Sequence, residues 1–365
     1  MIETPSLVDQ YCHGVLRTEL GLGTFEAQLA RTEGSPAPGT TLFDTQTGFA
    51  VRRWCPPLLG LEPHCPPARY LARRRELGVL ESGRRLLRGS GITTYLVDTA
   101  LPGDLTGPAE LASVAAADAR EVVRLELLAE QVADTSGTVG SYLVNLAEAV
   151  HGAAAHAVAF TSVAGVRHGL ALAPEPPEPG EVRGAAARWL AGRRAGGELS
   201  DPVLLRHLLW SAVAAGPPLQ LHAGLGETGP GPDPVALTGF VRATAGLGTD
   251  LVLLHGYPHH RHAAHLAGVF PHVYADSGAA LMRTGARAAT VLAEILELAP
   301  FGKILFSSGA QGLPELHVVG AHLFREALGR VLGTWVAEGA WSPADARRVA
   351  GMIAAGNAGR VYGLG

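Results

Sequence analysis

The chain has 365 residues, of which 47% are hydrophobic and 17% are charged, and its formal net charge is −4. This length allows a large buried core within one domain. The near-neutral balance offers no basic surface for nucleic acid and no signal for a membrane surface. No apolar run reaches the roughly 18 residues that a membrane-spanning helix requires.

The chain carries few cysteines, and its first residues lack the basic head and apolar core of a secretory signal. An odd count of three without zinc-ribbon spacing favours free thiols in a reducing compartment. We therefore expect a cytoplasmic protein. The cysteines are Cys12, Cys55 and Cys65.

Eight short apolar runs along the chain are typical of buried parallel strands. Stretches of helical period, rich in Ala, Leu and Arg, lie between them, and this alternation indicates βα units around a parallel sheet. Eight such units predict a (β/α)8 TIM barrel that forms a single domain over residues 1–365. The strand runs cover residues 6–9, 93–97, 121–126, 157–160, 219–222, 250–255, 272–276 and 303–306. The helical stretches cover residues 76–87, 137–154, 203–215, 235–245 and 288–298.

Two segments depart from this repeat. Residues 32–70 form a Pro- and aromatic-bearing insertion after the first strand, and residues 173–180 form a Pro-rich loop after the fourth. Both would lie over the top of the barrel. We predict a lid-like role for 32–70, while plain surface loops fit the same composition equally well.

Two neighbouring strands each end in a histidine followed by small residues. His222 precedes Ala-Gly, and His255 precedes Gly. Active sites of (β/α) barrels lie at the carboxyl ends of the strands. Two histidines at matched strand ends therefore predict a shared metal or catalytic centre, rather than two core histidines bonded to backbone.

Four further histidines follow His255 within ten residues. Helical spacing places His262 within one turn of His259 and of His265. A surface metal site is one interpretation of this cluster, which also includes His260. With no carboxylate or cysteine nearby in the sequence, we interpret it as a solvated helix start after Pro258.

Several segments resemble the amidohydrolase superfamily. Residues 9–13, Asp-Gln-Tyr-Cys-His, are similar to its Asp-x-His-x-His opening, and residues 221–224 and 254–258 resemble its fifth- and sixth-strand histidine segments. Residues 304–310 resemble the eighth-strand segment. Residues 123–126, 166–170 and 255–258 are similar to the amidohydrolase-related branch associated with glutamine synthetase.

The resemblance implies a metal-dependent hydrolase that acts on a small amide, and the branch suggests a γ-glutamyl-type bond. It implies one divalent ion, with zinc expected, held by His13, His222 and His255. Such an ion polarises the scissile carbonyl and lowers the pKa of a bound water. We expect a small-molecule substrate and no nucleic-acid or membrane partner. Barrels of this kind often self-associate, so a homo-oligomer is compatible with the sequence.

The sequence departs from the family pattern at three positions. Tyr11 stands where the first paired histidine belongs, Thr161 where a bridging strand-four ligand belongs, and Gly309 where the strand-eight aspartate belongs. The last change removes the expected general base. We predict that Asp276 replaces it and that Tyr11 ligates the ion or donates a hydrogen bond to a substrate oxygen.

Other carboxylates near predicted strand ends, Asp98 and Glu126, are alternative bases. Arg124, Glu126 and Arg167 are predicted to bind the substrate, because guanidinium groups bind carboxylates through paired hydrogen bonds. An ion pair of Glu126 with either arginine is the structural alternative. The three departures also favour a second hypothesis. The barrel would have lost hydrolysis and would bind a ligand or partner, or catalyse a lyase-type step.

Overall fold

The computed structural model describes residues 5–30, 36–193, 196–224 and 231–364. Residues 32–35 of the predicted insertion lie outside the described residues. All eight predicted strands are present and follow one another in sequence order in one sheet, so the predicted (β/α)8 barrel is confirmed. The strands are β1 (Leu7–Cys12), β2 (Ile92–Asp98), β3 (Asp118–Arg124), β4 (Ala159–Ser162), β5 (Leu219–His222), β6 (Leu251–Leu254), β7 (Val273–Asp276) and β8 (Ile304–Leu305).

Helices separate the strands, and the predicted helical stretches lie within or close to them. The stretch 235–245 begins as a 3₁₀ turn, Pro234–Leu237, before it becomes α-helical. Within the described residues the α-helices are α1 (Leu22–Ala30), α2 (Gln46–Leu58), α3 (Pro67–Gly89), α4 (Pro108–Ala115), α5 (Leu125–Thr135), α6 (Val139–Ala154), α7 (Ala164–Arg167), α8 (Pro179–Gly192), α9 (Pro202–Ala215), α10 (Thr238–Thr244), α11 (His260–Val269), α12 (Gly278–Thr284), α13 (Ala288–Leu296), α14 (Pro314–Ala337), α15 (Pro343–Gly351) and α16 (Asn357–Val361).

The chain forms two compact units. The first comprises residues 1–120, 277–297 and 304–360, and the second comprises residues 121–276, 298–303 and 361–365. The first unit therefore contains β1, β2 and β8, and the second contains β4 to β7 with the end of β3. A single domain over residues 1–365 stays a prediction.

In the second unit, the strands from the end of β3 to β7 pair in parallel. Every residue of β4, β6 and β7 is buried, which explains why these strands are apolar runs rather than alternating patterns. His222 at the end of β5 pairs in register with Leu254 at the end of β6. The carboxyl ends of these strands therefore lie side by side.

In the first unit, β1 lies against β2 and against the segment that contains β8. Gln10 N–H donates to the Phe306 carbonyl (3.1 Å), and Gly309 N–H donates to the Tyr11 carbonyl (3.0 Å). Leu7 pairs in parallel with Ile92 of β2. These bonds align the end of β1 with the turn after β8.

The described part of the 32–70 insertion contains α2, which the Thr45 hydroxyl caps by accepting a hydrogen bond from Gly48 N–H (3.0 Å). Trp54 stacks on His322 of α14 with ring centroids 5.6 Å apart. Arg53 forms an ion pair with Glu326 of the same helix (2.8 Å). Helix α2 is thus anchored on α14 within the first unit, and the lid-like role of the insertion stays a prediction.

Three smaller features of the fold concern a helix cap, the thiols and the hydrophobicity of the helices. The Ser342 hydroxyl accepts a hydrogen bond from Asp345 N–H (3.0 Å) and caps α15. All three cysteines are buried free thiols. Among the described residues, no helix combines the length and the hydrophobicity needed to span a bilayer.

Candidate metal centre

Two histidine rings meet at the carboxyl ends of neighbouring strands in the second unit. His222 is the last residue of β5, and His255 directly follows β6. Their ring centroids are 5.1 Å apart, and the planes are inclined by 76°. His255 is buried, while His222 is half-buried. The structure thus brings together two of the three predicted metal ligands.

The backbone of His255 adopts a conformation that side chains rarely take, with a φ of 59° in the left-handed region. For a β-carbon-bearing residue this conformation costs of the order of 1–3 kcal/mol, and such residues cluster at functional sites. The left-handed turn ends β6 at the histidine. The surrounding structure must therefore hold the backbone of His255 in this conformation.

Two glycines form the packing behind the histidine pair. A Cβ built on Gly224 would overlap the His255 carbonyl oxygen, and one built on Gly165 would overlap the His222 carbonyl oxygen. Each glycine therefore permits a close backbone approach that any larger residue would prevent. Neither residue was predicted from the sequence as part of the site. The Ala-Gly that follows His222 was the signal for Gly224.

Asp276, the predicted general base, lies beside His255. It is the last residue of β7, is buried, and accepts a hydrogen bond from His255 N–H through Oδ2 (3.2 Å). The same oxygen lies 3.6 Å from His255 Nδ1, which is within ion-pair range but too far for a hydrogen bond. The hydrogen bond from His255 N–H thus ties Asp276 to the backbone of His255.

Tyr11, His13 and Asp98 form a cluster in the first unit. The Tyr11 hydroxyl donates to Asp98 Oδ2 (2.9 Å) and lies 3.2 Å from His13 Nε2. The Nδ1 of His13 lies 2.7 Å from the carbonyl oxygen of Asp98. If Nδ1 carries the proton and donates there, Nε2 is left with the lone pair that a metal ligand needs. The joint ligand set of His13, His222 and His255 stays a prediction.

Both carboxylate oxygens of Asp98, one of the alternative bases, accept hydrogen bonds. Oδ1 accepts from Ala100 N–H (2.9 Å), while Oδ2 accepts from Tyr11. Tyr11 therefore replaces a histidine with a group that holds this carboxylate in place.

Gly309, which stands at the expected aspartate position, lies in a left-handed turn with a φ of 58°. Its N–H donates to the carbonyl of Tyr11. Two of the three departures from the family pattern are therefore hydrogen-bonded neighbours. The third, Thr161, lies on β4 in register with Gln220, and among the described residues its buried hydroxyl has no hydrogen-bond partner.

The residues predicted to bind substrate lie near the ends of β3 and β4 in the second unit. Arg124 ends β3 and pairs in register with Thr161. Arg167, in α7, forms an ion pair with Glu130 and donates to the Leu199 carbonyl (3.1 Å) through the same Nη1. The remaining nitrogens of its guanidinium would have to bind the predicted substrate.

Glu126 lies in the first turn of α5, two residues beyond the end of β3. It is buried, and Oε1 accepts a hydrogen bond from the Ser162 hydroxyl (2.5 Å). Burial raises the pKa of Glu126 despite this hydrogen bond. Ser162 was not among the predicted site residues. Its contact with Glu126 is a structural observation, and substrate binding by Glu126 stays a prediction.

The donor chemistry of the second unit fits a divalent metal ion. Two imidazoles at adjoining strand ends are typical zinc ligands. A carboxylate near such imidazoles is also typical of zinc sites. Nitrogen ligands of this kind also suit copper, iron and nickel, so the donor set does not select one metal.

The family model for amidohydrolases matches residues 85–364. The chain belongs to the amidohydrolase family. Members of this family typically bind a divalent metal ion. The match confirms the resemblance seen in the sequence and includes His222, His255 and Asp276. Tyr11 and His13 lie before its first residue.

Among curated proteins, this amidohydrolase is 34% identical over 152 residues to Protein fluG of Emericella nidulans. The alignment covers 40% of the present chain and 17% of the length of that relative. The shared region is thus a minor part of the fungal protein, and similarity to it does not transfer the activity of the whole.

Among solved structures, a protein of Lactobacillus casei ATCC 334, provisionally named a metal-dependent hydrolase, has a TM-score of 0.83 and 24% identity. That match covers 100% of this chain and 96% of the other. Uronate isomerase of Thermotoga maritima matches with a TM-score of 0.63 and 13% identity over 98% and 94% of the two chains. At these identities the likeness shows the fold alone.

Proposed function

We propose that this amidohydrolase hydrolyses a small amide, with His222 and His255 among the ligands of one divalent ion, zinc being the first candidate. The observation that carries the proposal is the meeting of the two imidazole rings at the ends of β5 and β6, with centroids 5.1 Å apart. His13 is the proposed third ligand. The bound ion would supply polarisation of the scissile carbonyl and a lowered pKa for water.

The chain's own residues would divide the remaining work. Asp276 is proposed to accept the proton of the attacking water, because it is the buried carboxylate beside His255. Its second contribution is to hold the backbone of His255 in the left-handed turn. Arg124 and Arg167 are proposed to bind a substrate carboxylate, such as the one that a γ-glutamyl group carries.

Metal content tests the ligand assignment. Protein purified without chelator should contain an ion that a His222→Ala/His255→Ala variant has lost. His151→Ala, an exposed histidine in α6, is the matched control and should retain the wild-type content. Retention of the full metal content by the double variant would refute the assignment.

Turnover tests the proposed base. The wild-type protein should hydrolyse at least one compound in a panel of small amides that includes γ-glutamyl anilides. Asp276→Asn should keep the metal and lose turnover by roughly 10²-fold or more, the usual contribution of acid–base catalysis. Unchanged turnover in this variant would exclude Asp276 as the base.

The second candidate is a barrel that has lost hydrolysis and either binds a ligand or catalyses a non-hydrolytic step. The observation that favours it is Gly309, which has no side chain at the position of the expected aspartate and lies in a left-handed turn. Under this alternative the wild-type protein binds metal but releases no amine from any amide in the panel.

A further inference from the structure

A second group of metal-ligand side chains lies outside the proposed site, at the start of α11. Asp233 immediately precedes the 3₁₀ turn Pro234–Leu237, and His259 and His262 lie at the N-terminal end of α11. The three offer one ligand atom each, and these atoms lie within 4.8 Å of one another. The group belongs entirely to the second unit.

Both histidine rings face the same carboxylate. His262 Nδ1 is 2.9 Å from Asp233 Oδ1 and 3.0 Å from Oδ2, and His259 Nδ1 is 3.7 Å from Oδ2. The two rings stack with centroids 5.8 Å apart and planes inclined by 16°. The spacing of three residues on a helix start produces this stacking, because it places both side chains on one face.

The turn that follows Asp233 orients its carboxylate. Val235 N–H donates to Oδ1 (3.0 Å) and fixes the direction of the group.

We propose that Asp233, His259 and His262 form a second metal site, which binds a divalent transition ion such as zinc. Two imidazoles and one carboxylate are a common protein ligand set for such ions, and they leave further positions for water or a small anion. The site shares no residue with the pair His222 and His255.

The required movement is small. Zinc bonds of about 2.0–2.2 Å place two ligand atoms at most about 4 Å apart. In the structure the three ligand atoms lie within 4.8 Å of one another. Side-chain rotations that move the ligand atoms by less than about 1 Å would bring them to these distances. The side chains of His259, His262 and Asp233 are 34%, 50% and 38% exposed, so such rotations meet little packing resistance.

Stoichiometry and spectroscopy test the second site independently of activity. Protein freed of metal, and never exposed to an immobilised-metal column, is titrated with zinc against a chromogenic chelator. His262→Ala and Asp233→Asn should each weaken one binding event by more than about 10-fold. Asn at position 233 retains the oxygen that accepts the hydrogen bond from Val235 N–H. The substitution should therefore leave the turn intact. His265→Ala, an exposed histidine on the same helix, is the matched control.

The two sites are distinguished by combining variants. His262→Ala should lose one zinc that His222→Ala/His255→Ala retains. Cobalt added to His222→Ala/His255→Ala should produce visible absorption, and adding His262→Ala to that variant should remove it. If His265→Ala loses zinc to the same extent, binding is a property of the histidine-rich surface and the proposal is wrong. It is equally wrong if His262→Ala binds zinc with the wild-type affinity and stoichiometry.

Discussion

Replacement of Gly224 by alanine tests whether the close packing behind His255 determines the metal centre. A Cβ on Gly224 would lie 2.5 Å from the carbonyl carbon of His255 and 2.8 Å from that of Gly256. Non-bonded carbons pack best at about 3.5–4.0 Å, so the two backbone segments would have to separate by about 1 Å. Overpacking of this kind costs about 1–3 kcal/mol in the free energy of unfolding. A displacement of about 1 Å at a site can lower turnover by about 10²-fold.

The assay is urea unfolding followed by circular dichroism, beside a zinc titration of the same protein. Gly152→Ala is the matched control, because it lies in α6 and no atom lies within 4 Å of the place that the added methyl group would take. We expect the control to be neutral or more stable by up to about 1 kcal/mol. Wild-type stability and zinc affinity in Gly224→Ala would show that His255 is not held by this contact.

The remaining predictions concern the first unit and one lysine. Tyr11→Phe should lower the free energy of unfolding by about 1–3 kcal/mol, because it removes a donor to the Asp98 carboxylate. Tyr142→Phe is the control, since the buried hydroxyl of Tyr142 has no hydrogen-bond partner among the described residues. Gly309→Asp combined with Tyr11→His should raise amidase activity if the wild-type barrel has lost hydrolysis, and no gain would count against that alternative. Burial lowers the pKa of Lys303 from 10.5 to about 8. The unfolded chain therefore binds more protons between these values, and the free energy of unfolding should rise from pH 8 to pH 10. Lys303→Met should remove this rise in urea titrations, and a persisting rise would exclude Lys303 as its source.

The sequence predicted the strands well because burial on both faces leaves a continuous apolar run. β6 and β7 are fully buried, and their runs ended at or within one residue of the strand ends in the structure. Boundaries were less accurate where polar residues occur within the strand. β3 begins at Asp118, three residues before its predicted start, and its last two predicted residues form the first turn of α5.

The placement of side chains was predictable where they lie within one short motif. The histidines at the ends of β5 and β6 were adjacent as expected, and Asp276 was found beside them. Contacts between residues far apart in sequence could not be predicted in the same way. Asp233 lies 26 residues before His259, so the interpretation of the histidine cluster as a solvated helix start lacked its carboxylate partner.

The packing role of Gly165 illustrates a further limit of sequence reasoning. A Cβ on this residue would overlap the carbonyl of His222, 57 positions later in the chain. No local pattern marks such a glycine, because its φ is not in the left-handed region and it lies in a short helix. Its constraint comes from the His222 carbonyl and from the side chains of Leu170 and Pro232, which lie 2.9 and 3.1 Å from the added Cβ.

Two of the three departures from the family pattern, Tyr11 and Gly309, form a connected change rather than separate losses. Gly309 N–H donates to the carbonyl of Tyr11, and the Tyr11 hydroxyl donates to Asp98, whose carbonyl lies 2.7 Å from His13 Nδ1. Restoring a histidine at position 11 alone would remove the phenol from Asp98 without supplying the missing base. Restoring aspartate alone would leave a phenol, rather than an imidazole, hydrogen-bonded to Asp98. A test of the family's usual chemistry therefore requires both substitutions together, and single variants would report mainly on the cost of breaking this hydrogen-bonded chain.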